Sequence, residues 1–285
     1  MLKLWSVWSL QRALGPEQRR VLDAKKIEGT RPIAELLAIL RPLGRLDATG
    51  NSARRQAGGG AIGSGVAALA GGWIGLAVSA PAPFFAVPAA LVALCVGLAL
   101  AWRSLRRIDL SDNLVHVALP LLRVLEEEGA PRSMLTLALD LRRPDVAEKV
   151  VDRKNLDGGG GRKIVEILYR DPWLAGRAVL ADGARLAFAA VDDVRERRQT
   201  RRNPRGKVKT KTKRRFWRTY RVAVELPAEH YAAETPEAPA KLSRVEKADA
   251  LPRDPLPLLD LVAEAYRRAT LKSPPKPLSR GATPS

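Results

Sequence analysis

Hydrophobic positions in this chain follow three patterns: an uncharged block, a period near 3.6, and a period of two. From Gln56 to Trp102 there is no charged residue. A helix needs about 20 apolar residues to cross the ~30 Å hydrocarbon core of a bilayer. Ala57 to Ala80 supplies one such run and Phe84 to Trp102 a second. Pro81-Ala82-Pro83 between them predicts a tight connection between antiparallel helices, and Pro88 predicts a mild kink near the second turn of the second helix. Glycine costs a helix in water about 1 kcal/mol relative to alanine, which favours a membrane hairpin over a buried soluble one.

Small residues recur at every fourth position of the first run, at Gly59, Gly63, Ala67, Gly71, Gly75 and Ser79. This glycine zipper lets another backbone approach closely. Ala89, Ala93 and Gly97 repeat the pattern on the second run, so the two stripes are expected to face each other. A homo-oligomer through the same faces is the competing use. Gly58 to Gly63 also spells the dinucleotide-binding GxGxxG, but no strand precedes it and no acidic residue follows at the required distance.

Helical spacing appears in four other places. Thr30 caps a predicted helix carrying Ile33, Leu36, Leu37 and Leu40. Ser111-Asp112-Asn113 precedes a second over Leu114 to Glu128, whose face is Leu114, Val117, Leu121, Val124 and Leu125, with a kink at Pro120. The first fifteen residues set Leu4, Trp5 and Trp8 on one face, as in an interfacial helix on a membrane or a terminal helix packed on protein. Leu258, Leu261, Val262, Ala265 and Tyr266 form a short amphipathic helix before a Pro-rich tail expected to be disordered.

From Ser133 the period is two. Leu135, Leu137, Leu139 and Leu141 alternate with Met134, Thr136, Ala138 and Asp140, the mark of a half-buried strand. Residues 164–169 and 174–181 read as further strands, and Asp182-Gly183 turns the chain back, with two pairings left open. Residues 157–163 form a glycine-rich loop without phosphate-loop spacing. Leu186–Arg202 and Lys207–Leu226 then flank Asn203-Pro204-Arg205-Gly206, a type I turn signature. With Gly206 left-handed and bulged, Leu186 faces Val224, Phe188 faces Val222, Ala190 faces Tyr220 and Val194 faces Phe216. The same register sets Asp192 against Arg218 and Glu196 against Arg214, whereas a slip of one scrambles the faces.

Charge singles out this hairpin. The chain carries +19 overall, and residues 195–221 hold fourteen basic residues against one acidic, a local net of +13. From Arg195 to Arg215 only Val208 is clearly apolar, so a two-stranded arm is expected to project roughly 30 Å. Its candidate polyanion-binding residues are Arg195, Arg197, Arg198, Arg201, Arg202, Arg205, Lys207, Lys209, Lys211, Lys213 and Arg214. Anionic lipid headgroups are the nearest target, with nucleic acid or an acidic protein as alternatives. Scarce outward aromatics argue against sequence-specific base reading.

Little points to catalysis. Cys95 is the sole cysteine, and His116 and His230 stand apart, so no metal or cofactor is implied. Among the carboxylates Asp171, Asp182, Asp192 and Asp193, turn formation and the pairing with Arg218 account for two. Arg54 and Arg55 before the hairpin, with Arg103, Arg106 and Arg107 after it, predict both termini cytoplasmic in the plasma (inner) membrane. The expected class is an α+β membrane protein: a two-span helical hairpin with a small antiparallel β domain and flanking helices. Its parts are an N-terminal cytoplasmic helical segment (1–56), the hairpin (57–102), a juxtamembrane helix (103–130), the β domain with its basic ribbon (131–227), and a linker, short helix and tail (228–285). The expected role is a non-enzymatic, membrane-anchored interaction module. A structural subunit assembling through the helix stripe and a membrane-tethered nucleic-acid binder are the alternatives.

Overall fold

Alternation of buried and exposed residues builds a seven-stranded antiparallel sheet, and with six α-helices among the described residues the protein is a mixed α/β arrangement. The structure is a computed structural model describing residues 2–77, 81, 85–129, 133–157, 162–202, 206–233, 240–248 and 254–271. Two compact units divide the chain: Met1–Asp23 with Ile39–Leu110, and Ala24–Ala38 with Ser111–Ser285.

In the second unit the sheet order is β1 (Lys26–Pro32), β2 (Met134–Asp140), β4 (Arg162–Val179), β5 (Arg185–Arg202), β6 (Val208–Glu225) and β8 (Ala240–Ala248), with β3 (Val150–Asp157) also paired to β4, while β7 (Tyr231–Ala233) and β9 (Ala269–Leu271) form a separate pair. The leucines of β2 point inward as the alternation requires. So do Leu174 of β4, Leu186 and Phe188 of β5, and Val222 and Val224 of β6. Buried with them are Ile33, Leu36 and Leu37, four leucines of α5 (Leu119–Glu128), and Leu258 and Leu261 of α6 (Leu256–Arg267). Opposite Phe188 only glycine fits: a Cβ on Gly176 would lie 2.3 Å from the ring.

The β5–β6 register is the expected one, with Val194 opposite Phe216, Asp192 opposite Arg218 and Glu196 opposite Arg214. Gly206 has φ +79, the left-handed value that a bulged three-residue loop needs. The Asn203-Pro204-Arg205 part of that turn lies outside the described residues. At Asp182-Gly183 the open pairing resolves as Val179 opposite Arg185, with Gly183 at φ +83 and its N–H donating to the Leu180 carbonyl.

In this unit four expectations change. The basic ribbon is not a free two-stranded arm, because β4 runs beside β5 as far as Arg162 opposite Arg201 and β3 lies beyond it. The two strands expected at 164–169 and 174–181 are one, bulged between Asp171 and Leu174, where Pro172 has no N–H to give. The first 56 residues are not all helical: Lys26–Pro32 is an edge strand, and Thr30 bonds Thr136 across the sheet at 2.8 Å instead of capping a helix. The helix begins at Ile33. At Pro120 the expected kink is a π-turn over Leu114–Ala118, in which the Leu119 N–H reaches back five residues to Leu114. Proline cannot supply the N–H that an unbroken α-helix would use there.

In the first unit α1 (Leu2–Ala13) and α2 (Pro16–Ala24) accompany α3 (Ile33–Ala77) and α4 (Ala86–Leu105). One helix among the described residues, Ala86–Leu105, is long and apolar enough to cross a membrane by length and composition. The first apolar run is instead the second half of the 45-residue α3. The two helices run antiparallel: a Cβ added at Gly58 would meet Trp102, at Gly60 Leu98, at Gly65 Cys95, and at Gly71 Pro88. Pro88 sits in the first turn of α4, where its missing N–H costs nothing, so the kink expected from it has no cause. Below the seam Asp47 accepts the Leu110 N–H at 2.9 Å, and Arg54 pairs with Asp109 at 2.6 Å.

The stripes expected to face each other do not. The side of α3 turned to α4 follows the line Ala57, Ala61, Ser64, Ala68, Gly71 and Gly75, spaced alternately four and three, with Gly58, Gly60 and Gly65 beside it. A strict step of four drifts about 40° each time, so Gly59 and Gly71 point about 120° apart. Nothing would meet a Cβ within 4 Å at Gly59, Gly63 or Gly97, and Ala67, Ala89 and Ala93 are exposed. The α4 side of the seam is Pro88, Leu91, Cys95 and Leu98, larger residues seated against small ones. Ser79 lies outside the described residues.

Candidate functional site

Strand pairing decides which way each arm residue points, since neighbours on a strand face opposite sides and cross-strand partners the same side. On the inner side Ile167, Tyr169 and Val194 form a small buried cluster with Val165 and Phe216 packed against it. Glu196 is fully buried on that side and accepts from Arg214 Nε at 2.6 Å and from Arg198 Nε. Arg214 also reaches Asp145 at 3.3 Å. Arg198 and Arg214, both expected on the polyanion surface, are therefore held by carboxylates of the fold.

The outer side collects the remaining cations. Arg195, Arg197 and Arg201 on β5 stand opposite Arg215, Lys213 and Lys209 on β6, with Lys211 beside them opposite Gln199. All are exposed except for the neutral glutamine, which is half-buried, and Lys207 is exposed at the foot of β6. Arg195 pairs with Glu166 at 2.6 Å. Arg197, Arg201, Lys209, Lys211, Lys213 and Arg215 have no acidic partner within 4 Å among the described residues. Arg202 is paired opposite Val208 through its backbone, and Arg205 lies outside the described residues. Further cations on this side lie outside the expected set: Arg215, which the predicted register sets opposite Arg195; Lys247 of β8, opposite Trp217; Arg170 of β4, 4.0 Å from Asp193; and Lys154 of β3, which pairs with Asp152 at 2.9 Å.

Where the arm joins the body, a charged network is buried. Arg218 and Asp192 are 0% exposed, joined by Nε to Oδ1 at 2.5 Å and Nη2 to Oδ2 at 2.7 Å. Asn113 at the start of the π-turn accepts from Arg218 Nη2 at 2.7 Å, and its amide donates to Asp192 at 3.3 Å. The guanidinium lies 4.9 Å from the Trp173 ring centroid, a cation–π distance. Asp171, opposite Asp192 on β4, is met by Lys149 Nζ at 2.7 Å. Burial pushes the Asp171 carboxyl up to about 6 despite that lysine. Lys149 also reaches Asp140 at 3.3 Å.

The four carboxylates weighed for acid–base work are distributed, not convergent. Asp171 and Asp192 belong to the buried network, while Asp193 points outward 4.0 Å from Arg170. Asp182 caps its own turn through the Ala184 N–H and accepts the hydroxyls of Tyr231 and Tyr266, each at 2.9 Å. No group of three or more His, Cys, Asp or Glu that could hold a metal occurs among the described residues. Comparison with protein-family models, curated proteins and solved structures gives no match.

Proposed function

We propose that the chain is a membrane-anchored, non-enzymatic interaction module whose basic sheet face binds anionic lipid headgroups. The observation that carries this reading is the sorting of charge across the arm. Carboxylates neutralise cations on the inner side, and Arg197, Arg201, Lys209, Lys211, Lys213 and Arg215 are left open on the outer side. Near an anionic surface each such residue contributes about 1 kcal/mol, and a sheet backed by β3 and β4 presents them without the ordering cost of a floppy hairpin.

The anchor in this proposal is the α3–α4 hairpin with both helices crossing. Its support is an inverted pattern of side chains: small residues fill the seam while Ile62, Val66, Leu69, Trp73, Val87, Val92, Val96 and Leu100 are exposed. Water would penalise that surface by roughly 25 cal/mol per Å², and lipid would not. An antiparallel pair returns the chain to the side it left, and the flanking arginines make that side cytoplasmic, consistent with the plasma (inner) membrane. Trp102 under the Arg106 guanidinium, 4.6 Å away, suits the interfacial belt. A second reading, a subunit assembling through the hairpin, is favoured by the open faces at Gly59, Gly63, Ala89, Ala93 and Gly97.

The test uses full-length protein in phosphatidylcholine nanodiscs mixed with phosphatidylserine vesicles at low and high salt. Co-sedimentation is expected at low salt and should fall steeply as salt rises. Binding left unchanged by the triple charge reversal of Lys209, Lys211 and Lys213 to Glu would sink the proposal. Preference for single-stranded RNA over the vesicles would move it to the nucleic-acid alternative.

A further inference from the structure

Nearer the body, the outer side of the same sheet changes character. A half-exposed antiparallel sheet normally puts polar residues outward, yet here five outward positions in two neighbouring cross-strand rows are alanine, at Ala138, Ala175, Ala187, Ala189 and Ala223, with polar residues at the ends of those rows. Alanine is depleted in strands because it fills little of a pleated surface, so sheet stability does not account for five of them on one face. Together they floor an open trough of about 820 Å³.

Its walls are cationic. Arg177 of β4, Ala187, Ala223 and Lys241 of β8 form one cross-strand row, with Arg221 in the next row beside Ser243. Arg177 and Lys241 are three strand spacings apart, about 14 Å, and an α-helix with side chains is ~10–12 Å across. None of Arg177, Arg221 and Lys241 has an acidic partner within 4 Å among the described residues, and Glu28 is the one acid on the lining.

We propose that this trough is a docking site for an α-helix of a partner protein, lying along β5 with a small-residue face on the alanines and acidic residues on both flanks. The alanine floor lets the helix backbone approach closely, and the cations on opposite walls set its polarity requirement. A second copy meeting this face with its own trough does not fit the charge, since it would present the same cations. This inference stands apart from the lipid reading, which concerns the arm.

The test keeps the full-length protein in phosphatidylcholine nanodiscs, where anionic lipid plays no part. The probe is a fluorescein-labelled, designed helical peptide of about four turns, with alanine along one face and glutamate on both flanks. The control peptide carries lysine in place of each glutamate. The acidic peptide is expected to bind, the lysine peptide not. Arg177→Glu with Lys241→Glu should weaken binding at least about tenfold, about 1.4 kcal/mol, since the variant sets like charges against both acidic flanks. Ala189→Phe, at a half-exposed floor position, should do the same without changing any charge. No binding of the acidic peptide, or binding indifferent to Ala189→Phe, overturns the proposal. Co-sedimentation of phosphatidylserine vesicles that Ala189→Phe abolishes would overturn it in favour of lipid.

Discussion

Truncating Asp192 to Ala is the sharpest probe of how the arm is held. The carboxylate supplies two short charge-assisted bonds to Arg218, and both groups are 0% exposed. Removing one partner of a buried ion pair costs about 3–5 kcal/mol, because the remaining charge keeps its desolvation penalty and loses its compensation. Replacing both, as Asp192→Leu with Arg218→Met, removes the charges together and is close to neutral for the pair itself. The double variant still orphans the Asn113 side chain, which bonds both residues, at a cost of about 1–3 kcal/mol. Asp192→Ala should therefore be less stable than the double replacement, and the cycle closed with the single variants Asp192→Leu and Arg218→Met should show a coupling of at least about 1 kcal/mol. Urea unfolding of the full chain in detergent, followed by far-UV circular dichroism of the sheet, gives these differences. A loss below about 1 kcal/mol for Asp192→Ala, or a double variant no more stable than the single, refutes the reasoning.

Asp171 makes a prediction about pH. Its carboxyl titrates at about 6 in the folded chain against 3.8 ordinarily, so the native state binds the extra proton between those values. Stability from this group therefore falls as pH rises from about 4 to 6, by an order of ~3 kcal/mol, and Asp171→Asn should flatten that slope in thermal melts. In the hairpin, Gly65→Val should lower the melting temperature in detergent by several degrees, since a Cβ placed there would lie 3.4 Å from Cys95 Sγ and leave no room for the two methyl groups beyond it, whereas a Cβ at Gly63 would meet nothing within 4 Å and Gly63→Val should be neutral. Equal effects at the two positions would dismiss the seam. Gly176→Ala should cost about 1–3 kcal/mol, because the Phe188 ring must leave its place; a melt matching the parent's would show that the ring relocates freely.

The parts legible in the sequence were those in which local pattern and pairing chemistry agree. Between Leu186 and Leu226, apolar partners and opposite charges match in a single register, so the long hairpin and the Asp192–Arg218 pair could be read directly. Strand β3 offered only Val150, Val151 and Leu156 as apolar residues, in no period, and its inward side is polar. Strand β1 has one buried residue, Ile27, because an edge strand needs little else. Asn113 and Lys149 reach the buried network from distant segments, and nothing in their own neighbourhoods marks them. The seam was misread for a geometric reason: glycines every fourth residue suggest a line, but on a helix of 3.6 residues per turn that line winds off the contact.

One structural fact bears on mechanics. Strands β4, β5 and β6 are each 18 residues long and pass from the leucine-filled body to the charged end. At ~3.3 Å per residue each spans roughly 60 Å, so the arm is a cantilever rooted in the core, not a finger on a hinge. A tug along the strands at its tip would load the ladder bonds in shear, many sharing the force at once. Whatever grips the outer lysines pulls, through the continuous β5–β6 ladder, on the place where Arg218 is locked to Asp192.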